Sequence, residues 1–214
     1  PSPEQKALLT EAVAIGNATA RSILFGPKDP KNYIYPGKAG YWQTGFPGGS
    51  HEYLVNKGNG GRDMDGRTLF FYLATVNTPA MALEIPGVGS QYAFSSRDGS
   101  GAYLNGSNTY KLNIPANPPA QKFWSFVVYD PQTRSMLQTG EMPYPSKNNK
   151  RNADMVKNAD GSIDLYFGPQ APAGMEANWV KTVPGKGWFG IFRLYGPGQE
   201  WFDRTWKLGN IEKV

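Results

Sequence analysis

The stretch "WFGIFRLYGP", Trp188–Pro197, holds the chain's most chemically suggestive cation. Its alternation puts Phe189, Ile191, Arg193 and Tyr195 on one face of a strand. A guanidinium among Phe, Ile and Tyr needs a partner, because an unpaired buried charge is expensive. Asp130 would be a structural partner. The alternative is the carboxylate or phosphate of a ligand, which the planar fork of arginine fits well. A second stretch, "FWSFVVYD" (Phe123–Asp130), places Phe123, Ser125, Val127 and Tyr129 on one face and Trp124, Phe126, Val128 and Asp130 on the other. Trp124 there is either a platform for a sugar or aromatic ring, or core packing. The candidate ligand-binding set is Arg193, Tyr195, Trp124, Tyr129 and Arg62.

Catalytic signatures are sparse. The chain has one histidine, His51 in "GGSHEY", and no cysteine. It carries no G-x-S-x-G elbow, P-loop or HExxH motif. Thiolate chemistry, disulfides and cysteine-held metals are excluded by composition. "RDMDG" (Arg62–Gly66) is too short for a calcium-binding EF-hand loop and lacks its glutamate. No metal site and no cofactor is expected. A hydrolase would have to draw its acid–base groups from His51, Asp63 and Asp65, with the site completed by another domain.

The elements that must position these residues follow from periodicity and turn chemistry. Ser2–Leu24 reads as a helix, with Ser2-Pro3 at its start and Gly26-Pro27 as its stop. Residues 28–61 are rich in breakers and in aromatics (Tyr33, Tyr35, Tyr41, Trp42, Phe46, Tyr53), which suggests a long connection that wraps over the surface and lies against another part of a larger chain. Arg62–Thr78 predicts a second helix ended by Pro79. Beyond residue 90 the pattern becomes alternating, at Gln91–Ser95, Asn108–Ile114, Lys122–Tyr129, Ser135–Thr139, Ile163–Phe167 and Trp188–Tyr195. Asp98-Gly99 and Asn105-Gly106 mark hairpin turns. The fold expected is mainly β, an antiparallel jelly-roll-like sandwich (residues 91–214) behind a helical and irregular lead-in (residues 1–90).

Composition agrees with a turn-rich β protein: aromatics make up 14% of the 214 residues, charges only 18%, with 26 Gly and 18 Pro. The net charge of +5 raises the question of an acidic partner. The one basic cluster, Ser146–Lys157, has no aromatic for base stacking, so it reads as a solvated loop and no nucleic-acid partner is expected. No stretch is long and apolar enough to span a membrane.

The ordered segments "YLNGSNTYKLNIP", "NPPAQKFWSFVVYD", "ADGSIDLYFG", "NWVKTVPGKGWFGIFRLYGP" and "RTWKLGNIEKV" resemble the C-terminal part of bacterial proteins that pair domain of unknown function 1254 with domain of unknown function 1214. "RDMDGRTLFFYLATVNTPAM" resembles the helical segment before it. Val180-Lys181 after Asn178-Trp179 replaces the family's usual Leu-Pro. The resemblance implies a jelly-roll-like sandwich whose N-terminal 1254 domain is missing here, a bacterial source, and no established reaction. The leading function is a module binding a small polar or anionic ligand, a saccharide or carboxylate, within a larger periplasmic or secreted protein. The rivals are the hydrolase completed by the missing domain, and a structural or homo-oligomerising domain.

Overall fold

The computed structural model describes residues 1–74 and 76–214, with Lys57 described by its backbone alone. Helix α1 runs Pro3–Phe25. A capping box starts it: Gln5 N donates to Ser2 Oγ at 3.2 Å, and Ser2 N donates to Gln5 Oε1 at 2.8 Å. Helix α2, Met64–Leu73, is capped by Asp63, whose Oδ1 accepts from Gly66 N at 2.9 Å. It stops short of the Thr78 expected from the sequence. Ala74 and Thr78 are already extended, with ψ of 162° and 157°. Pro79 pushes the residue before it out of helical geometry and opens the single-turn α3, Pro79–Ala82. Thr75, inside the expected helix, lies outside the described residues.

Eight strands follow: β1 (Ser90–Ser95), β2 (Tyr110–Ile114), β3 (Ala120–Tyr129), β4 (Ser146–Asn148), β5 (Ile163–Gly168), β6 (Trp179–Lys181), β7 (Phe189–Pro197) and β8 (Ile211–Lys213), with a short α4 (Gln199–Phe202) before the last. They form two four-stranded sheets, ordered β1-β7-β3-β4 and β6-β5-β2-β8. The result is a sandwich behind an N-terminal helix, as the alternation implies. Strand and helix contents are nearly equal, since α1 alone contributes 23 residues. One pairing, β5 with β6, is parallel, a departure from a wholly antiparallel jelly roll.

Alternation decides what each face meets. The inner face of the first sheet (Trp124, Phe126, Val128, Phe192, Leu194) packs against Leu112, Ile114, Leu165 and Phe167 of the second. Packing is tight on the inner face where the neighbouring strands β7 and β3 pair. A Cβ on Gly190 would sit 2.2 Å from the Phe126 ring, so this position accepts only glycine without a shift. The outer face of the first sheet is covered by helices instead: Leu24, Phe25 and Leu69 pack on Phe94, Phe189 and Ile191.

Three expectations are corrected. The aromatics of residues 33–53 are not an exposed surface: Tyr35, Trp42, Phe46 and Tyr53 are 0–7% exposed. Trp42 donates its indole N–H to the Gly209 carbonyl at 2.9 Å and Tyr35 joins the same core, so the loop is folded into the sandwich. Ser135–Thr139 is not a strand; Met136 makes only an isolated bridge to Tyr129. The basic cluster is not wholly a solvated loop, because its first residues form β4 and Lys147 is only 8% exposed. Burial pushes the Lys147 ammonium's pKa down, against the pull of Asp154.

The Asp98-Gly99 and Asn105-Gly106 turns do form, with Asp98 Oδ1 accepting from Ser100 N and Ala102 N at 3.0 Å each. The strand that follows, β2, pairs with β5 and β8 rather than within a local hairpin. The first part of α1 is solvent-exposed, with Leu8, Leu9, Val13 and Ile15 57–71% exposed. No helix is long and apolar enough to cross a membrane among the described residues.

Candidate functional site

Arg193 sits on the outer face of the first sheet, in register with Tyr92 of β1 on one side and Ser125 of β3 on the other. Tyr129, four residues beyond Ser125, shares that face. The Arg193 guanidinium donates through Nη2 to the Tyr129 hydroxyl. It lies 5.5 Å from the Tyr92 ring centroid and 5.7 Å from that of Tyr129. Its Nε–H is buried with no hydrogen-bond partner. Tyr195 continues the same face, stacked on Phe123 at 4.1 Å and 14°.

Asp130 does not pair with Arg193. Tyr129 and Asp130 are adjacent, so alternation sends them to opposite faces. Asp130 instead accepts from Lys186 Nζ at 3.1 Å and from Gln132 N at 2.7 Å. Among the described residues no carboxylate forms an ion pair with Arg193.

The titration behaviour follows from these neighbours. Burial is the main influence on the Tyr129 hydroxyl and raises its pKa, with Arg193 pulling the other way. For Arg193 burial works against the charge, but Tyr129, Tyr195 and Tyr92 outweigh it and the pKa is raised. The pair is therefore a guanidinium cation beside a neutral phenol. The phenol oxygen accepts from the arginine and keeps its own proton to donate.

A cavity of about 200 Å³ opens beside this pair, between the outer face of the sheet and the lead-in. The sheet contributes Arg193, Tyr129 and Tyr92; the lead-in contributes Phe46, Phe70 and Met81. A second cation, Arg134, also lines it from the turn after β3. That residue adopts φ of 61°, in the left-handed region, and its guanidinium stands 4.2 Å from the Tyr72 ring centroid. Its Nη1 donates to the Gln132 carbonyl at 2.9 Å. Two guanidiniums and a phenol hydroxyl thus face an otherwise largely apolar space. Such a space can hold a small molecule with an apolar body and one anionic end.

Of the residues singled out from the sequence, Arg193 and Tyr129 come together at the cavity, with Tyr195 beside them. Trp124 does not join them. It is 2% exposed in the inter-sheet core, tilted against Phe192 at 5.8 Å, because it occupies the opposite face of β3. Arg62 is exposed and donates to the Glu52 carbonyl at 3.4 Å, away from the cavity.

The acid–base trio is dispersed as well. Asp63 caps α2 and pairs with Lys31 at 3.2 Å, Asp65 is exposed, and His51 is held through its backbone carbonyl by Asn77. Among the described residues no hydrogen bond or ion pair joins them, and no group of three or more His, Asp or Glu is placed to hold a metal. Tyr92, Arg134, Phe46 and Phe70 were not foreseen at the site. Alternation puts Tyr92 and Phe94 on one face of β1, but nothing local says that β1 pairs with β7.

The model of a family described as "Protein of unknown function (DUF1214)" matches residues 89–199. None of the curated proteins compared with the chain matches it. Among solved structures, the VPA0106 protein from Vibrio parahaemolyticus aligns with a TM-score of 0.54 at 20% identity, over 100% of this chain and 46% of that one. This is a likeness of fold, and the chain spans under half the length of that neighbour. An uncharacterised protein from Burkholderia cenocepacia aligns with a TM-score of 0.39 at 19% identity, over 62% of this chain and 32% of that one.

Proposed function

The chain belongs to the DUF1214 family of proteins of unknown function, and we propose that it binds a small molecule made of an apolar body and one carboxylate. One observation carries this reading: Arg193 is a largely desolvated cation at a cavity, and among the described residues it has no carboxylate partner and its Nε–H is unpaired. A carboxylate there would meet the free donors of Arg193, the Tyr129 hydroxyl proton and, at the mouth, Arg134. Phe46, Phe70 and Met81 favour an aliphatic or aromatic body. A saccharide is the poorer fit, because its hydroxyls would lose water against walls that return few hydrogen bonds.

The site lies where the lead-in (residues 1–90) meets the sandwich (residues 91–214), so both halves of the chain are needed to close it. In our reading this unit works inside a larger protein, paired with a domain of unknown function 1254. The motif resemblance supports the pairing, as do the greater length of the VPA0106 neighbour and the uncovered apolar residues of α1. The hydrolase reading has no comparable support, since Asp63 is committed to capping a helix.

Thermal-shift titration with benzoate, hexanoate and the neutral benzamide tests the proposal. The two carboxylates should raise the melting temperature, benzamide should not, and Arg193→Met should abolish the response while remaining folded. An equal response to benzamide, or an unchanged response in Arg193→Met, would sink the reading.

A further inference from the structure

A second cleft, of about 720 Å³, lies between the last turn of α1, the loop after β1 and the entry to β7. Its chemistry differs from that of the Arg193 cavity. Arg21 and Arg97 both line it, each half-buried. Arg21 Nη1 donates to the Pro131 carbonyl at 2.8 Å, and its guanidinium lies 5.3 Å from the Phe25 ring centroid. Arg97 donates to the Gly101 carbonyl and to the Tyr103 hydroxyl, both at 2.7 Å, and lies 3.9 Å from the Tyr103 ring centroid. Neutral acceptors and rings thus fix both guanidiniums, and among the described residues neither is in an ion pair. Among the described residues no Asp or Glu lines the cleft.

The inner wall adds an independent observation. Ser96 and Trp188 line the cleft at 4% and 1% exposure, and the Ser96 hydroxyl and Trp188 indole N–H are buried without any hydrogen-bond partner. An indole N–H is a donor only, so whatever completes it must be an acceptor. Buried donors are seldom left unpaired. The carbonyl end of α1 borders the cleft and by itself disfavours an anion. Two of its carbonyls are already occupied, Ser22 by Gly26 N at 3.0 Å and Phe25 by the Tyr103 hydroxyl at 3.4 Å.

We propose that this cleft binds a phosphate- or sulfate-bearing small molecule, with the oxyanion held between Arg21 and Arg97 against the wall that Ser96 and Trp188 form. Its two guanidiniums come from separate segments of the fold, α1 and the loop after β1, and a tetrahedral group with several terminal oxygens can accept from both at once. Tyr103, 56% exposed, offers a ring face to the rest of the molecule. The site is independent of the Arg193 cavity and of the ligand assigned there.

The six tryptophans make the test direct, because each contributes one indole N–H signal to a ¹H–¹⁵N spectrum. The whole chain is titrated with sodium phosphate, with sodium sulfate, and with sodium chloride at matched ionic strength. The Trp188 signal, assigned by its loss in Trp188→Phe, should shift saturably with phosphate or sulfate and not with chloride. Arg21→Gln and Arg97→Gln should each weaken the apparent affinity about tenfold. If Trp188→Phe does not fold, the backbone amides of Ser96 and Arg97 give the same readout. The absence of a saturable shift with either oxyanion would overturn the proposal, as would a shift that persists in the Arg21→Gln, Arg97→Gln double variant.

Discussion

At the scale of single residues, Arg193 and Asp130 define each other by contrast. Arg193 lies in β7 and Asp130 directly after β3 of the same sheet, yet Asp130 is paired with a lysine while Arg193 donates to a phenol and keeps an unpaired Nε–H. Because Arg193 has no carboxylate partner, Arg193→Met removes a costly buried cation and leaves no orphaned anion behind. The melting temperature should stay level or rise, and the response to carboxylates should vanish. Tyr129→Phe takes away the arginine's acceptor and should cost about 1–3 kcal/mol in denaturant unfolding.

Asp130 carries the pH prediction. Burial pushes its pKa up, but Gln132 N and Lys186 outweigh that, and the folded value lies below that of an ordinary aspartate in the unfolded chain. Between the two values the unfolded chain binds more protons than the native one, so stability rises with pH there. The contribution of Asp130 is complete above about pH 4 and is lost as pH falls through its depressed folded value. Asp130→Asn should flatten the acid limb of a stability-versus-pH curve below pH 4. An unchanged acid limb would show that the Lys186 contact is not maintained in solution.

At the scale of elements, alternation in β3 and β7 was readable because both strands are long and each face has a clear character. It correctly put Arg193, Tyr195 and Tyr129 on faces that could meet. It could not tell which face looked inward, so Trp124 was left between ligand and core. The answer depends on which side α1 and α2 cover, and no local pattern encodes that. The short strands β4, β6 and β8 went unseen, since three residues carry no period and their pairing is tertiary. Residues 28–61 were misread for a related reason: aromatics in a breaker-rich loop look exposed until a core elsewhere claims them. Two substitutions check the packing. Trp124→Ala should cost about 3–5 kcal/mol without touching the cavity. Gly190→Ala should cost about 1–3 kcal/mol by driving a methyl into the Phe126 ring. Near-neutral results in equilibrium unfolding would mean that side chains on the inner face of β3 and β7 are packed more loosely than the structure shows.

At the scale of the whole molecule, the sandwich and its lead-in form one packed unit, while the first part of α1 projects from it. Residues 1–15 bury almost nothing, so deleting them should leave the unfolding midpoint nearly unchanged. If Leu8, Leu9, Val13 and Ile15 are the contact to a further domain or to a second copy, the same deletion should abolish that association in sedimentation analysis. A large loss of stability would instead mean that the helix folds back onto the sandwich.

The central claim is that the Arg193 cavity receives a carboxylate with an apolar body. The most direct measurement is a crystal structure of the protein with 4-bromobenzoate, in which anomalous scattering from bromine fixes the orientation of the ring. The account predicts bromine among Phe46, Phe70 and Met81, and the carboxylate within hydrogen-bonding distance of Arg193 and Tyr129. An empty cavity at saturating ligand, or a ring bound with its carboxylate turned away from Arg193, would contradict it.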